Sequence, residues 1–157
     1  MRSITAFLFA VALLAHAPTA IAQIAGVPVS CADFRGVAVA LSDAPGLPDV
    51  GAARVVNGQP VIFLNSRVLS QQPPEMQLFW YAHECAHHAL GHLASVHPFN
   101  EAAADCWAVR TGRQQGWFPP YAFQGLIAVL GRSPGSVWGH LPGPQRIANM
   151  QSCYTAP

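Results

Sequence analysis

The sequence predicts a small α+β domain, a short antiparallel sheet with a hairpin followed by a helical majority. Three observations carry this. Residues 53–56 and 61–64 are runs rich in β-branched and other apolar residues flanking Asn57-Gly58, a dipeptide suited to a tight hairpin turn. Residues 75–94, EMQLFWYAHECAHHALGHLA, form a long stretch of good helix formers with a heavy apolar load. Beyond it, helix-forming stretches recur between Gly and Pro breaks, with no internal repeat or low-complexity tract.

Residues 1–22 read as a secretory signal peptide: Arg2 gives a positive start, residues 4–14 are apolar, and Ala20-Ile21-Ala22 supplies a small-x-small cleavage pattern. Residues 23–157 suffice for a single compact domain with a real core. Within it, 23–30 is a small-residue lead-in, 36–41 a short strand, and 43–49, rich in Pro and Gly, a loop. The hairpin follows, with Gln59-Pro60 able to lengthen its turn. Pro73 and Pro74 precede the first turn of the central helix and Glu75 lies near its positive end. That helix ends over residues 91–98. A second begins at Asn100, a capping residue, and runs over 101–110 to a stop at Thr111-Gly112. A third covers 121–130, halted by Gly131 and Pro134, and a last short helix covers 145–153.

Charge is scarce. The chain has no lysine, eight arginines and seven acids, and without Arg2 the formal balance is neutral. Nothing in that balance suggests nucleic acid or an anionic membrane surface as a partner. Three of the seven acids (Glu84, Glu101, Asp105) and five of the seven histidines (His83, His87, His88, His92, His97) crowd around the central helix.

Within that helix lies His83-Glu84-Cys85-Ala86-His87, an H-E-x-x-H pattern. At about 100° per residue the two histidines sit about 40° apart, so their rings converge on one tetrahedral metal. Glu84 projects beside it, placed to work on a metal-bound water. A catalytic site of this kind needs a third ligand and one open position. Glu101, fourteen residues beyond His87 at the start of a new helix, is the best candidate. Asp105 follows at i+4 on the same face, where it can accept a hydrogen bond from a ligand imidazole. His88 and His92 lie about 140° and 180° from His83 on an ideal helix and read as core-edge or surface groups.

Four cysteines, Cys31, Cys85, Cys106 and Cys153, suggest two disulfides in an oxidising compartment, with three possible connectivities. The preferred pairing joins Cys85 to Cys106 across the two site helices and Cys31 to Cys153 near the termini. Such a Cys85 bridge lies behind the metal, because Cys85 points about 200° away from His83.

Together, His83-Glu-Cys-Ala-His87 and Glu101-Ala-Ala-Ala-Asp105 resemble the H-E-x-x-H plus E-x-x-x-D pattern of gluzincin peptidases. The pattern is closest to that of the CAAX prenyl proteases and HtpX-type membrane proteases. The resemblance covers about residues 60–150. It implies a zincin-like domain with one zinc per chain on His83, His87 and Glu101. It implies hydrolysis of peptide bonds by a zinc-bound water, with Glu84 as general base. It makes residues 61–65 the edge strand that pairs with extended substrate. It likens 140–147, HLPGPQRI, to the H-P-x-x-x-x-R region of that family, with His140 approaching the site as an oxyanion donor and Arg146 bracing it. The transmembrane helices of those relatives are missing, so the chain resembles a soluble exported member, periplasmic or extracellular. Its partners are then peptide or protein substrates, with no membrane anchor after signal cleavage. Two other classes stay open: an exported module using zinc for structure or partner binding, and a disulfide-stabilised interaction protein without metal.

Overall fold

A computed structural model describes residues 22–94, 97, 99–136 and 140–156. The expected signal peptide lies outside the described residues except for Ala22. The chain opens with a two-residue-per-strand ribbon, β1 (Gln23–Ile24) and β2 (Val27–Pro28), and continues into a three-stranded sheet. Its strands are β3 (Ala40–Asp43), β4 (Gly51–Val56) and β5 (Gln59–Leu64). Five helices follow: α1 (Ser66–Leu69), α2 (Pro74–Ala89), α3 (Asn100–Gln114), α4 (Pro120–Leu130) and α5 (Gly143–Thr155), with a 3-10 turn, His92–Ala94, after α2. The architecture is α+β with a helical majority, as the sequence predicts.

The hairpin is the tightest kind. Val56 pairs with Gln59, and the two turn residues Asn57 and Gly58 take φ of 50° and 81°. Those left-handed values match the twist of the flanking strands and suit Asn and Gly. Gln59-Pro60 does not lengthen the turn: both residues are paired in β5. Pro60 is tolerated because β3 joins β5 only from Val61 onward, so the ladder on that side does not need its missing N–H.

The sheet differs from expectation in two respects. Residues 34–36 form a turn, and an isolated bridge of Ala38 to Ala32 stands where the first half of the strand was expected, with Gly36 at φ 81° and the Asp33 carboxylate accepting from the Arg35 and Val37 backbone N–H groups. And the strand order is β3-β5-β4, with β3 parallel to β5. The loop after β3 passes over the end of β5, held by Ala44 N–H donating to Leu64 and by the Asn65 side chain donating to Leu47. β5 is therefore central, paired on both sides, and its backbone is not open to an added strand. This corrects the expectation for residues 61–65; β4 is the strand with a free edge beside α2.

α2 carries apolar and polar residues into the interior on nearly every side, with Met76, Phe79, Ala82 and Ala86 buried. It packs against α3, α4 and the sheet, while α5 covers α3. Phe79, Phe118, Leu126 and Met150 join these layers in one core. α3 starts with Asn100 already helical and Phe99 at the cap position. It also runs through Gly112, since the Phe118 ring lies where a side chain at 112 would sit, 2.0 Å from a β-carbon placed there.

The disulfides are Cys31–Cys85 and Cys106–Cys153, with Cα separations of 5.8 and 5.3 Å. This corrects the expected pairing. α2 and α3 meet through their histidine and acid faces; Cys85 points away, toward the N-terminal segment, while Cys106 turns toward α5. Each bridge closes a long loop, of 54 and 47 residues. Replacing Cys106 and Cys153 together by Ser should cost about 2–5 kcal/mol, read as a lower denaturant midpoint with unchanged slope. Such bridges belong to an oxidising compartment and are compatible with export. Among the described residues no helix is long and apolar enough to cross a membrane.

Candidate metal centre

The uninterrupted helix α2 presents His83 and His87 on one face, and α3 returns against it. His87 lies near Glu101 in the first turn of α3, and His83 meets Asp105 one turn later, so the helices run antiparallel. Two imidazole nitrogens and both oxygens of one carboxylate then gather in a small volume. His83 Nε2 is 3.0 Å from Glu101 Oε2 and 3.2 Å from His87 Nε2, and His87 Nε2 is 3.6 Å from Glu101 Oε1. A tetrahedral ion with ligands at about 2.0–2.1 Å separates its donors by about 3.3 Å.

A fourth group belongs to the same cluster. His140, ahead of α5, points Nε2 at Glu101 Oε2 from 2.8 Å. Despite that distance, this buried nitrogen has no partner in hydrogen-bonding geometry. His83, Glu101 and His140 each offer an atom within 4.8 Å of the others, and this buried group could hold a metal ion. An orphaned nitrogen and two imidazole nitrogens 3.2 Å apart around one carboxylate suit a cation.

A second layer orients these rings. His83 Nδ1 lies 3.0 Å from Asp105 Oδ1, and Arg146 grips the same carboxylate with both Nε and Nη2, each at 2.7 Å. With Nδ1–H donated to Asp105, His83 turns Nε2 to the cluster, where a bound metal would take the place of its proton. His92 does the corresponding work for His87, their Nδ1 atoms being 3.2 Å apart, which leaves His87 Nε2 turned inward. The Ser136 hydroxyl lies 2.9 Å from Nδ1 of His140.

Electrostatics follow from this crowding. Burial alone lowers the His83 pKa, but hydrogen bonds to Asp105 and Glu101 and the charges of Asp105 and Glu84 outweigh it and raise it to about 10. Metal-free, His83 thus carries a proton at neutral pH that any bound metal must displace. Burial pushes the Glu101 and Asp105 carboxyls upward, yet the three histidines around Glu101, and His83 with Arg146 around Asp105, hold both well below the usual range. Burial and neighbouring His87 lower His92, keeping it neutral.

Glu84 stands on the β4 side of the cluster. It is buried, its pKa raised chiefly by that burial against the pull of His83 and His87, and it accepts a hydrogen bond from the Ala53 backbone. Gly51 permits this approach: a β-carbon there would lie 2.8 Å from Glu84 Cγ. A cavity of about 180 Å³ opens against Glu84, between Gly51, Trp80, Ser136 and His140.

Of the residues singled out from sequence, His83, His87, Glu101, Asp105, His140 and Arg146 come together, and Glu84 adjoins them. Cys31, Cys85, Cys106 and Cys153 lie behind the cluster in the two bridges. His88 is buried in the core with Nε2–H directed at the Val61 carbonyl, 3.1 Å away. His92 is the residue that angular reasoning misplaces: α2 has ended, Gly91 at φ 72° turns the chain back, and its ring returns to His87. A glycine one residue before a histidine was the available signal. The chain matches no protein-family model, no curated protein and no solved structure.

Proposed function

We propose that this chain is an exported zinc metallopeptidase, periplasmic or extracellular, of the gluzincin type its motifs resemble. The observation that carries the reading is that His83 Nε2 and His87 Nε2 stand 3.2 Å apart, close to the edge of a zinc tetrahedron, with the two Glu101 oxygens 3.0 and 3.6 Å from them. Asp105 and Arg146 fix the His83 ring, and His92 the His87 ring, so the ligands are oriented before any ion arrives.

When bound, zinc would polarise a substrate carbonyl and bring a coordinated water's pKa to about 7. The chain's own residues do the rest. The Glu84 carboxylate takes the water proton and passes it to the leaving amine; its upward-shifted pKa makes it the better acceptor. The free edge of β4, where the Ala53 N–H already reaches Glu84, is the surface on which an extended peptide would align. His140, the fourth member of the cluster, would donate from Nε2 to developing negative charge.

Purified protein is expected to hold about one zinc per chain and to cut peptides in a random library. A chelator should abolish cleavage and added zinc restore it. His87→Ala should lose the metal, whereas His140→Ala should retain it and cleave slowly. Loss of zinc from His140→Ala with retention in His87→Ala would put His140 in the place of His87 beside His83 and Glu101. Zinc without cleavage would favour a structural metal instead.

A further inference from the structure

We propose that a second cavity, about 230 Å³ between the 31–37 segment and the 92–94 turn, is the pocket that selects a large apolar side chain on the N-terminal side of the cleaved bond. The assignment rests on the peptidase reading above. The cavity borders the metal centre through His87, which lines it. Its apolar walls include Val55 of β4, Phe34, Leu93 and Ala94, with Asp33 and Arg35 also in the lining.

Position along β4 fixes the side of the bond. Gly51 touches Glu84, while Val55, four residues on, shares this cavity with His87. A peptide antiparallel to β4 enters at the Val55 end and leaves at the Gly51 end. Residues preceding the bond therefore pass over this cavity, and those following it pass over the cavity at Gly51, Trp80 and His140.

Chemistry fixes the occupant. Phe34, Val55 and Leu93 are 61%, 54% and 43% exposed, an uncovered apolar rim beside the reacting centre. The charges in the lining are already used: Arg35 pairs with Asp33 at 2.7 Å, and Asp33 also holds its own turn. His88 Nε2–H is committed to the Val61 carbonyl. The wall is also held in place, which selectivity requires: Cys31 is bridged to Cys85 on α2, and the Phe34 N–H donates to the His88 carbonyl at 3.0 Å.

Zinc-loaded protein is incubated with a peptide library randomised on both sides of the bond, and products are sequenced. Wild type should show a preference for Leu, Met or Phe at one position before the cut. Phe34→Ala should lower kcat/KM about tenfold for such peptides and leave those with Ala at that position unchanged. Ala94→Glu, at an exposed position, should reverse the preference toward Arg, with zinc content and thermal midpoint unaltered. An evenly cut library, or variants that slow all peptides alike, overturns the pocket assignment alone. A library left uncut by wild type overturns the peptidase reading, and the pocket with it.

Discussion

Glu84→Gln is expected to abolish peptide hydrolysis while zinc stays at about one per chain. The substitution keeps the shape of the side chain and its ability to accept from the Ala53 backbone, and removes only the capacity to take a proton. General acid–base work contributes typically about 10²–10⁴-fold, so kcat should fall by at least that factor. The same change should raise stability. Burial lifts the Glu84 pKa above its ordinary value, so the fold disfavours the ionised form, and that penalty is fully present at pH above the folded pKa. A neutral amide escapes it. Metal-free Glu84→Gln should therefore unfold at a higher denaturant concentration than wild type at neutral pH. Lost activity with gained stability marks a group held in place for chemistry; undiminished hydrolysis would sink the role assigned to Glu84.

Much of the cluster was legible because it is local. His83 and His87, and Glu101 and Asp105, are pairs at i and i+4, so helix geometry alone puts each pair on one face. The hairpin was legible for a similar reason, since Asn57-Gly58 sets the turn and the turn sets the register. What remained hidden depends on which element covers which face. Cys85 and Cys106 lie in neighbouring helices, yet the faces that meet carry the histidines and acids, so each cysteine turns to a different partner. The place of β5 depends on the loop before β4 passing over it, a choice no local pattern records. His92 shows the limit most directly. An angle of about 180° from His83 holds only on a continuing helix, and α2 stops at Ala89, with Leu90 as its cap and Gly91 turning the chain.

The deepest charges make the other large prediction. Arg146 and Asp105 are 2% and 1% exposed, joined by two hydrogen bonds of 2.7 Å, and the guanidinium lies over the Phe79 and Trp80 rings at 5.6 and 5.4 Å. Arg146→Met fills the space but strands a buried carboxylate, which should cost about 3–5 kcal/mol in metal-free protein at neutral pH. Arg146→Lys should recover only part of this, because a point charge cannot reproduce the two-pronged grip. Asp105→Asn should cost a comparable amount and lower zinc affinity about 10–100-fold by loosening His83. If the two groups act as one unit, Arg146→Met with Asp105→Asn should cost far less than the sum of the singles. The pH dependence carries the same signature. Asp105 is held below its ordinary 3.8, so its contribution is present above pH 3.8 and lost as the pH falls below it. His83 is raised from 6.5 to about 10, so its contribution is whole below pH 6.5 and lost as the pH rises through 10. Wild type, metal-free, should be most stable between these limits, and Asp105→Asn should flatten both flanks. Additive losses, or an unchanged pH profile in that variant, would show that Arg146, Asp105 and His83 do not form the chain of contacts that orients the metal face.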